Sequence, residues 1–138
     1  MTQQLEQKPL MQLQLPNSQE RRDFKVWEYR ISHKQLLIRC PKTTESSKNV
    51  DLMFYDVQYM DLPSTLPNLE IGESSNNDIA FAKSRIGEAV SEYQILVLKS
   101  NNHRYLVVAG NATFAESSMD LFESPLKTLP PIKLRERK

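Results

Sequence analysis

The 138-residue chain contains one cysteine, Cys40, three glycines and two histidines, His33 and His103. Each scarcity excludes a class of chemistry. A single thiol permits no disulfide and no thiolate metal cluster within one chain, and it points to a reducing compartment, the cytoplasm. Its ordinary place is as a small apolar residue ending a strand. Gly72, Gly87 and Gly110 are too few and too dispersed to build a glycine-rich loop that cradles a phosphate or a dinucleotide. Neither histidine has a second ligand at the spacing of a helical turn, so no metal and no cofactor is expected. No serine sits in a nucleophile-elbow motif, and no catalytic residue is assigned.

Long apolar runs are also missing. No stretch approaches the roughly 18 apolar residues of a membrane span, and the start, MTQQLEQKPLMQLQLP, lacks the basic-then-apolar order of a secretory signal, so no membrane association is expected. Charge of either sign is not in excess: the formal net charge is +1, which lowers the expectation of non-specific nucleic-acid binding. Charge is nevertheless segregated. Residues 20–42 carry seven basic and three acidic side chains, residues 41–92 four basic and nine acidic, and residues 125–138 five basic and one acidic. Such separation can steer a charged partner.

The chain does hold a series of strand-forming segments. EYQILVLKSNNHRYLVVAG, Glu92 to Gly110, has two apolar arms around a polar turn and reads as a hairpin, with Leu96 and Leu98 facing opposite to Ile95 and Val97. Thr113 to Ala115 extends it past a bulge at Gly110. A second hairpin is expected from Phe24–Ser32 and Gln35–Cys40 around Ser32-His33-Lys34, with Trp27, Tyr29 and Ile31 on one face. Val50–Met60 is a further strand; strict alternation places Met53, Tyr55, Val57 and Tyr59 on one side and Leu52 and Phe54 on the other. Asp51, Asp56 and Asp61 are then read as surface charges. Met11, Leu13 and Leu15 alternate with glutamines and suggest a half-buried strand closed by Pro16-Asn17-Ser18. Asp78–Glu88 is the expected helix, capped by Asn77 or Asp78, with Ile79, Ala82 and Ile86 along one side and Gly87 weakening its end.

The fold class expected is α+β: a mainly antiparallel sheet of about five to seven strands, two of its hairpins well marked, with one short helix packed on it. The domain spans residues 10–124, between a mobile N-terminal arm at residues 1–9 and an extended, basic, proline-containing tail at 125–138.

Functional residues are sought where polar groups recur. Glu28-Tyr29-Arg30-Ile31 and Glu92-Tyr93-Gln94-Ile95 echo each other, and each is followed by a histidine and a basic residue, His33-Lys34 and His103-Arg104. Were the two turns to meet, these four side chains would form a cationic cluster suited to a carboxylate or phosphate. Trp27 and Tyr29, with Arg30 and Arg39 nearby, offer stacking beside phosphate contacts, although their strand face also suits a core. The expected function is non-catalytic binding of another macromolecule, a protein first, as an inhibitor, immunity-type or adaptor protein does. Two alternatives stand beside it: a small-ligand or enzymatic pocket lined by Trp27, Tyr29, Tyr55 and Tyr59 with one histidine, and nucleic-acid binding through the basic segments.

Overall fold

The computed structural model describes residues 6–13, 23–44 and 46–128. The expected Pro16-Asn17-Ser18 turn, Leu15 and residues 129–138 of the basic tail lie outside them. Eight strands form one sheet: β1 Lys8–Pro9, β2 Phe24–Arg30, β3 Gln35–Cys40, β4 Asn49–Met60, β5 Thr65–Leu66, β6 Glu70–Gly72, β7 Gln94–Ser100 and β8 His103–Ser117. Their order is β5-β2-β3-β4-β8-β7-β6, β1 pairs separately with β8, and every pairing is antiparallel. The sheet exceeds the expected strand number because β1 and β5 are two residues long, below what a period-two pattern reveals.

Local chemistry explains the strongest elements. The β7–β8 turn has Asn101 and Asn102 at φ 48° and 69°, left-handed values that asparagine tolerates and that match the twist of a tight hairpin. Along β7, Leu96 and Leu98 enter the main core while Ile95 faces the helix α1, Asn76–Ile86. The helix cap is Ser75, upstream of the expected Asn77 or Asp78. Its hydroxyl accepts from the Asp78 amide at 3.2 Å, and the Asp78 carboxylate accepts from the Ser75 amide at 2.8 Å, a reciprocal capping box. Gly87, at φ 80°, ends the helix where a side chain would be strained.

The sheet curls because its two longest strands bend together. Asp56 takes φ 55°, the register between β4 and β8 slips between Val57 and Tyr59, and Gly110 lies opposite Asp56, where an added Cβ would stand 3.2 Å from the Asp56 Cβ. The kink resets alternation. Val57 joins Leu52 and Phe54 in the main core instead of sharing a face with Tyr55, and Ala109 and Ala112 both point inward. One face of the curled sheet thus closes on a single cluster that includes Phe24, Leu36, Ile38, Phe54, Leu96, Leu98 and Val107. Each of these buried side chains contributes about 1.5–3 kcal/mol.

The opposite face has two covers. Around Val108, Tyr59 and Ile95 it is covered by α1 through Ala82 and Ile86, joined by Val90 from the 3-10 turn that follows. Around Leu37, Met53, Tyr55 and Ala115 it is covered by the segment after β8, whose Leu126 is buried in a short helical turn α2, Pro125–Thr128. Several boundaries differ from expectation for physical reasons. Leu10–Gln12 is a 3-10 turn rather than a strand, and it rotates Leu10 into the core. Lys8–Pro9, expected in the arm, pairs with β8, and Pro125 and Leu126, expected in the tail, are buried. The register of β2 slips at Trp27 and the strand ends at Arg30, so Tyr29 and Ile31 are exposed, at 37% and 83%, instead of sharing a core face with Trp27. Cys40 ends β3 half-buried against the main cluster. Among the described residues no helix is long and apolar enough to cross a membrane.

The capping box gives the first prediction. Partial burial alone would raise the Asp78 carboxyl, but the Ser75 amide, with Arg104 and the Ser75 hydroxyl, holds it below its usual 3.8. A depressed carboxylate supplies stability above its unfolded pKa that is lost as pH falls through the folded value. Ser75→Ala is expected to cost about 1 kcal/mol in urea unfolding. Asp78→Asn should lower the Tm at pH 7, and that deficit should shrink steadily below pH 4. A deficit independent of pH would rule out the charge of Asp78 as its source.

Candidate functional site

The least ordinary feature of the chain lies under the C-terminal segment. Arg39 on β3 and Asp51 on β4 are direct register partners, and both side chains are fully buried. The guanidinium meets the carboxylate through two bonds, Nε to Oδ1 at 2.6 Å and Nη2 to Oδ2 at 3.0 Å. Its remaining nitrogen, Nη1, donates to the Glu123 carbonyl at 3.0 Å, and its Cζ lies 5.5 Å from the centre of the Trp27 ring. The expectation that Asp51 is a surface charge is therefore corrected. Alternation does send it away from the main core, but the face it reaches is covered.

Burial raises the Asp51 carboxyl above 3.8 against the opposing hydrogen bonds and charge of Arg39. The folded chain therefore binds this proton more readily than the unfolded chain, and the site subtracts stability as pH rises from 3.8 to the higher folded value. Such a pair is costly to desolvate and is kept in place by geometry: two bonds, one carbonyl and one aromatic face saturate it. It is not a base presented to a substrate.

Residues 118–126 form a strap over this pair. Four side chains of the sheet and its margins hold it by donating to its carbonyls: Lys42 Nζ to Ser118 at 2.7 Å, Asn49 Nδ2 to Met119 at 3.0 Å, Arg39 Nη1 to Glu123 at 3.0 Å and Arg30 Nη1 to Leu126 at 3.3 Å. Arg30 is itself aligned by Glu28, with Nε 3.0 Å from the carboxylate. Met119 and Leu126 are buried. Beside them, Tyr55 donates to Gln7 Oε1 at 3.0 Å and Thr113 donates to the same oxygen at 2.8 Å, so the N-terminal segment closes the margin of the cluster. Burial pushes the Tyr55 hydroxyl up to about 12, against the lowering influence of Thr113.

Between the strap and β2 an open cleft of about 350 Å³ is lined by Trp27, Glu28, Leu121, Phe122, Glu123 and Ser124. Its outer wall is apolar and uncovered: Phe122 is 91% exposed and Leu121 51%. A full aromatic ring left in water forgoes roughly the stabilisation that its burial would supply, and such rings are the usual anchors of protein interfaces.

The residues singled out from sequence are distributed otherwise. Of the six, Trp27 alone lines the cleft. His33 belongs to the 3-10 turn Ile31–His33, and Lys34, at φ 51°, accepts at its carbonyl from the Val57 amide beside the kink. His103 opens β8 opposite Ser100 and lies against the Tyr105 ring, while Arg104 is paired with Asp78 at the head of α1. Among the described residues no bond, ion pair or ring contact joins His33 or Lys34 to His103 or Arg104. Tyr29 is exposed, and Tyr55 and Tyr59 lie in separate clusters. No three His, Cys, Asp or Glu side chains among the described residues are placed to hold a metal ion. No protein-family model, curated protein or solved structure matches the chain.

Sequence reasoning overlooked Asp51 and the strap. One signal is present: Arg39 stands next to the end of a strand apolar on both faces and Asp51 near the start of the next, so antiparallel pairing brings the two opposite each other.

Asp51→Ala leaves Arg39 buried and uncompensated, and it should cost about 3–5 kcal/mol in denaturant unfolding. The double change Arg39→Met with Asp51→Leu should recover most of that loss. A single-variant cost below about 0.5 kcal/mol, the range of ordinary surface changes, would show that water reaches the pair.

Proposed function

We propose that this chain is a non-catalytic binding module that holds another protein, in the manner of an inhibitor, immunity-type or adaptor protein, and that it works in the cytoplasm. The observation that carries the reading is the cleft beside the strap, where exposed Leu121 and Phe122 face the Trp27 side of β2. A partner side chain entering this cleft gains apolar contact on both walls and meets carboxylates at Glu28 and Glu123. Interfaces draw most of their free energy from a few such aromatic anchors inside a polar rim. The buried charges Arg39 and Asp51 are paired with each other, and Arg39 holds the Glu123 carbonyl at the cleft wall.

The histidines favour no enzymatic pocket here, since neither lines the cleft. Nucleic-acid stacking on Trp27 with phosphate contact from Arg39 is disfavoured because Arg39 is fully buried and saturated.

Capture from nuclease-treated lysate of the native host tests the reading. Wild-type protein should retain at least one protein at physiological salt, and the pair Leu121→Ser with Phe122→Ser should lose it while keeping the wild-type Tm. No retention by wild type, or equal retention by the variant, would overturn the proposal.

A further inference from the structure

The strap is attached in an unusual way. Its backbone amides bond within the strap itself, Asp120 N to Glu123 Oε1, Glu123 N to the Asp120 carbonyl and Leu126 N to Ser124 Oγ. Four of its carbonyls, those of Ser118, Met119, Glu123 and Leu126, accept from side chains of the sheet and its margins, Lys42, Asn49, Arg39 and Arg30. Among the described residues it shares no backbone ladder bond with the sheet, and β8 has already ended at Ser117. A segment so held can lift away without breaking a strand pairing, which is the condition for an opening unit separate from global unfolding.

What holds the strap also says what fits in its place. Side-chain donors aimed at carbonyls accept any backbone that follows the strap's path, including its turn at Leu121 and Phe122, whatever its sequence. Selection comes from the two buried anchors, Met119 and Leu126, and from charge: Lys42 lies 3.7 Å from Asp120, in a strap that carries Asp120 and Glu123 and, up to Leu126, no basic residue. Leaving the face bare would expose Leu37, Met53 and the Arg39–Asp51 pair together, so the cover is exchanged rather than simply lost.

We infer that the sheet face beneath residues 118–126 is a groove for an acidic, turn-containing segment of a partner protein, and that the chain's own strap fills it until the partner displaces it. The inference rests on the binding-module reading and names the partner's chemistry. The partner's segment presents aliphatic side chains spaced as Met119 and Leu126, and its carbonyls take over the four donors. Leu121 and Phe122, on the exposed crest of the strap, give the partner its first contact.

The test uses the full chain and a labelled peptide of residues 117–128, SSMDLFESPLKT, as probe. Leu126→Asp loosens the chain's own strap. The peptide is expected to bind this variant at least tenfold more tightly than wild type, and a peptide with Ser at both anchor positions should bind neither. Equal binding to the two proteins, or binding indifferent to the anchors, overturns the groove.

Hydrogen exchange of the unaltered protein gives an independent reading that does not require the variant to fold. The amides of Asp120, Glu123 and Leu126 should exchange at least a hundredfold faster than those of Leu52 and Phe54 in β4. Exchange at the core rate overturns displacement. Loss of the groove result with cleft-dependent capture intact would sink this inference alone; loss of capture would sink the binding module itself.

Discussion

Two opposite charges sealed from water set the terms for half of this structure. Arg39 and Asp51 face each other across β3 and β4 with no exposure, and a charge in that position is tolerated only when every polar atom is matched. That requirement fixes the β3–β4 register, because a slip of one residue would turn each side chain toward the apolar core formed by Leu36, Ile38 and Leu52. It also fixes the strap, since the third guanidinium bond goes to the Glu123 carbonyl. Trp27 is drawn over the same guanidinium, and its position at the β2 register slip makes the inner wall of the cleft. Site and scaffold are therefore one arrangement.

The second constraint is the kink at Asp56 and Gly110. It turns a long two-stranded ribbon into a curl whose inner face is a closed core, and it divides the outer face into two sectors needing separate covers. Without a side chain at position 110, β8 can approach Asp56 closely enough for both strands to bend while staying paired. Helix and strap lie on either side of that bend.

Sequence patterning revealed what depends on local chemistry. The apolar arms of β7 and β8, the asparagines between them and the helical spacing of Ala82 and Ile86 follow from propensity and periodicity, and they appear where those rules put them. The elements that escaped depend on distant contacts. Lys8–Pro9 is a strand only because β8 lies beside it, and Val57 turns inward only because Asp56 is left-handed. Asp51 reads as a solvent charge until the strap, some seventy residues downstream in sequence, is folded over it. The candidate site was legible only at Trp27. Nothing in the neighbours of exposed Phe122 indicates that it projects from a strap rather than packs.

The two covers of the outer face differ in the kind of bond that secures them. The helix is secured by its own backbone ladder, a capping box and an apolar stripe, so its integrity depends little on what touches it from outside. The strap has no comparable internal framework: buried Met119, Pro125 and Leu126 and four side-chain donors hold nine residues whose middle is an exposed leucine–phenylalanine crest. A segment that merely completed the core would turn Leu121 and Phe122 inward. Instead Leu121 and Phe122 stand in solvent beside a cleft the strap leaves unfilled, while Met119 and Leu126 are buried. An aromatic ring kept in water forgoes in folding the stabilisation that its burial would supply, so the crest is held out by the strap's bonds to the sheet and not by apolar packing of its own.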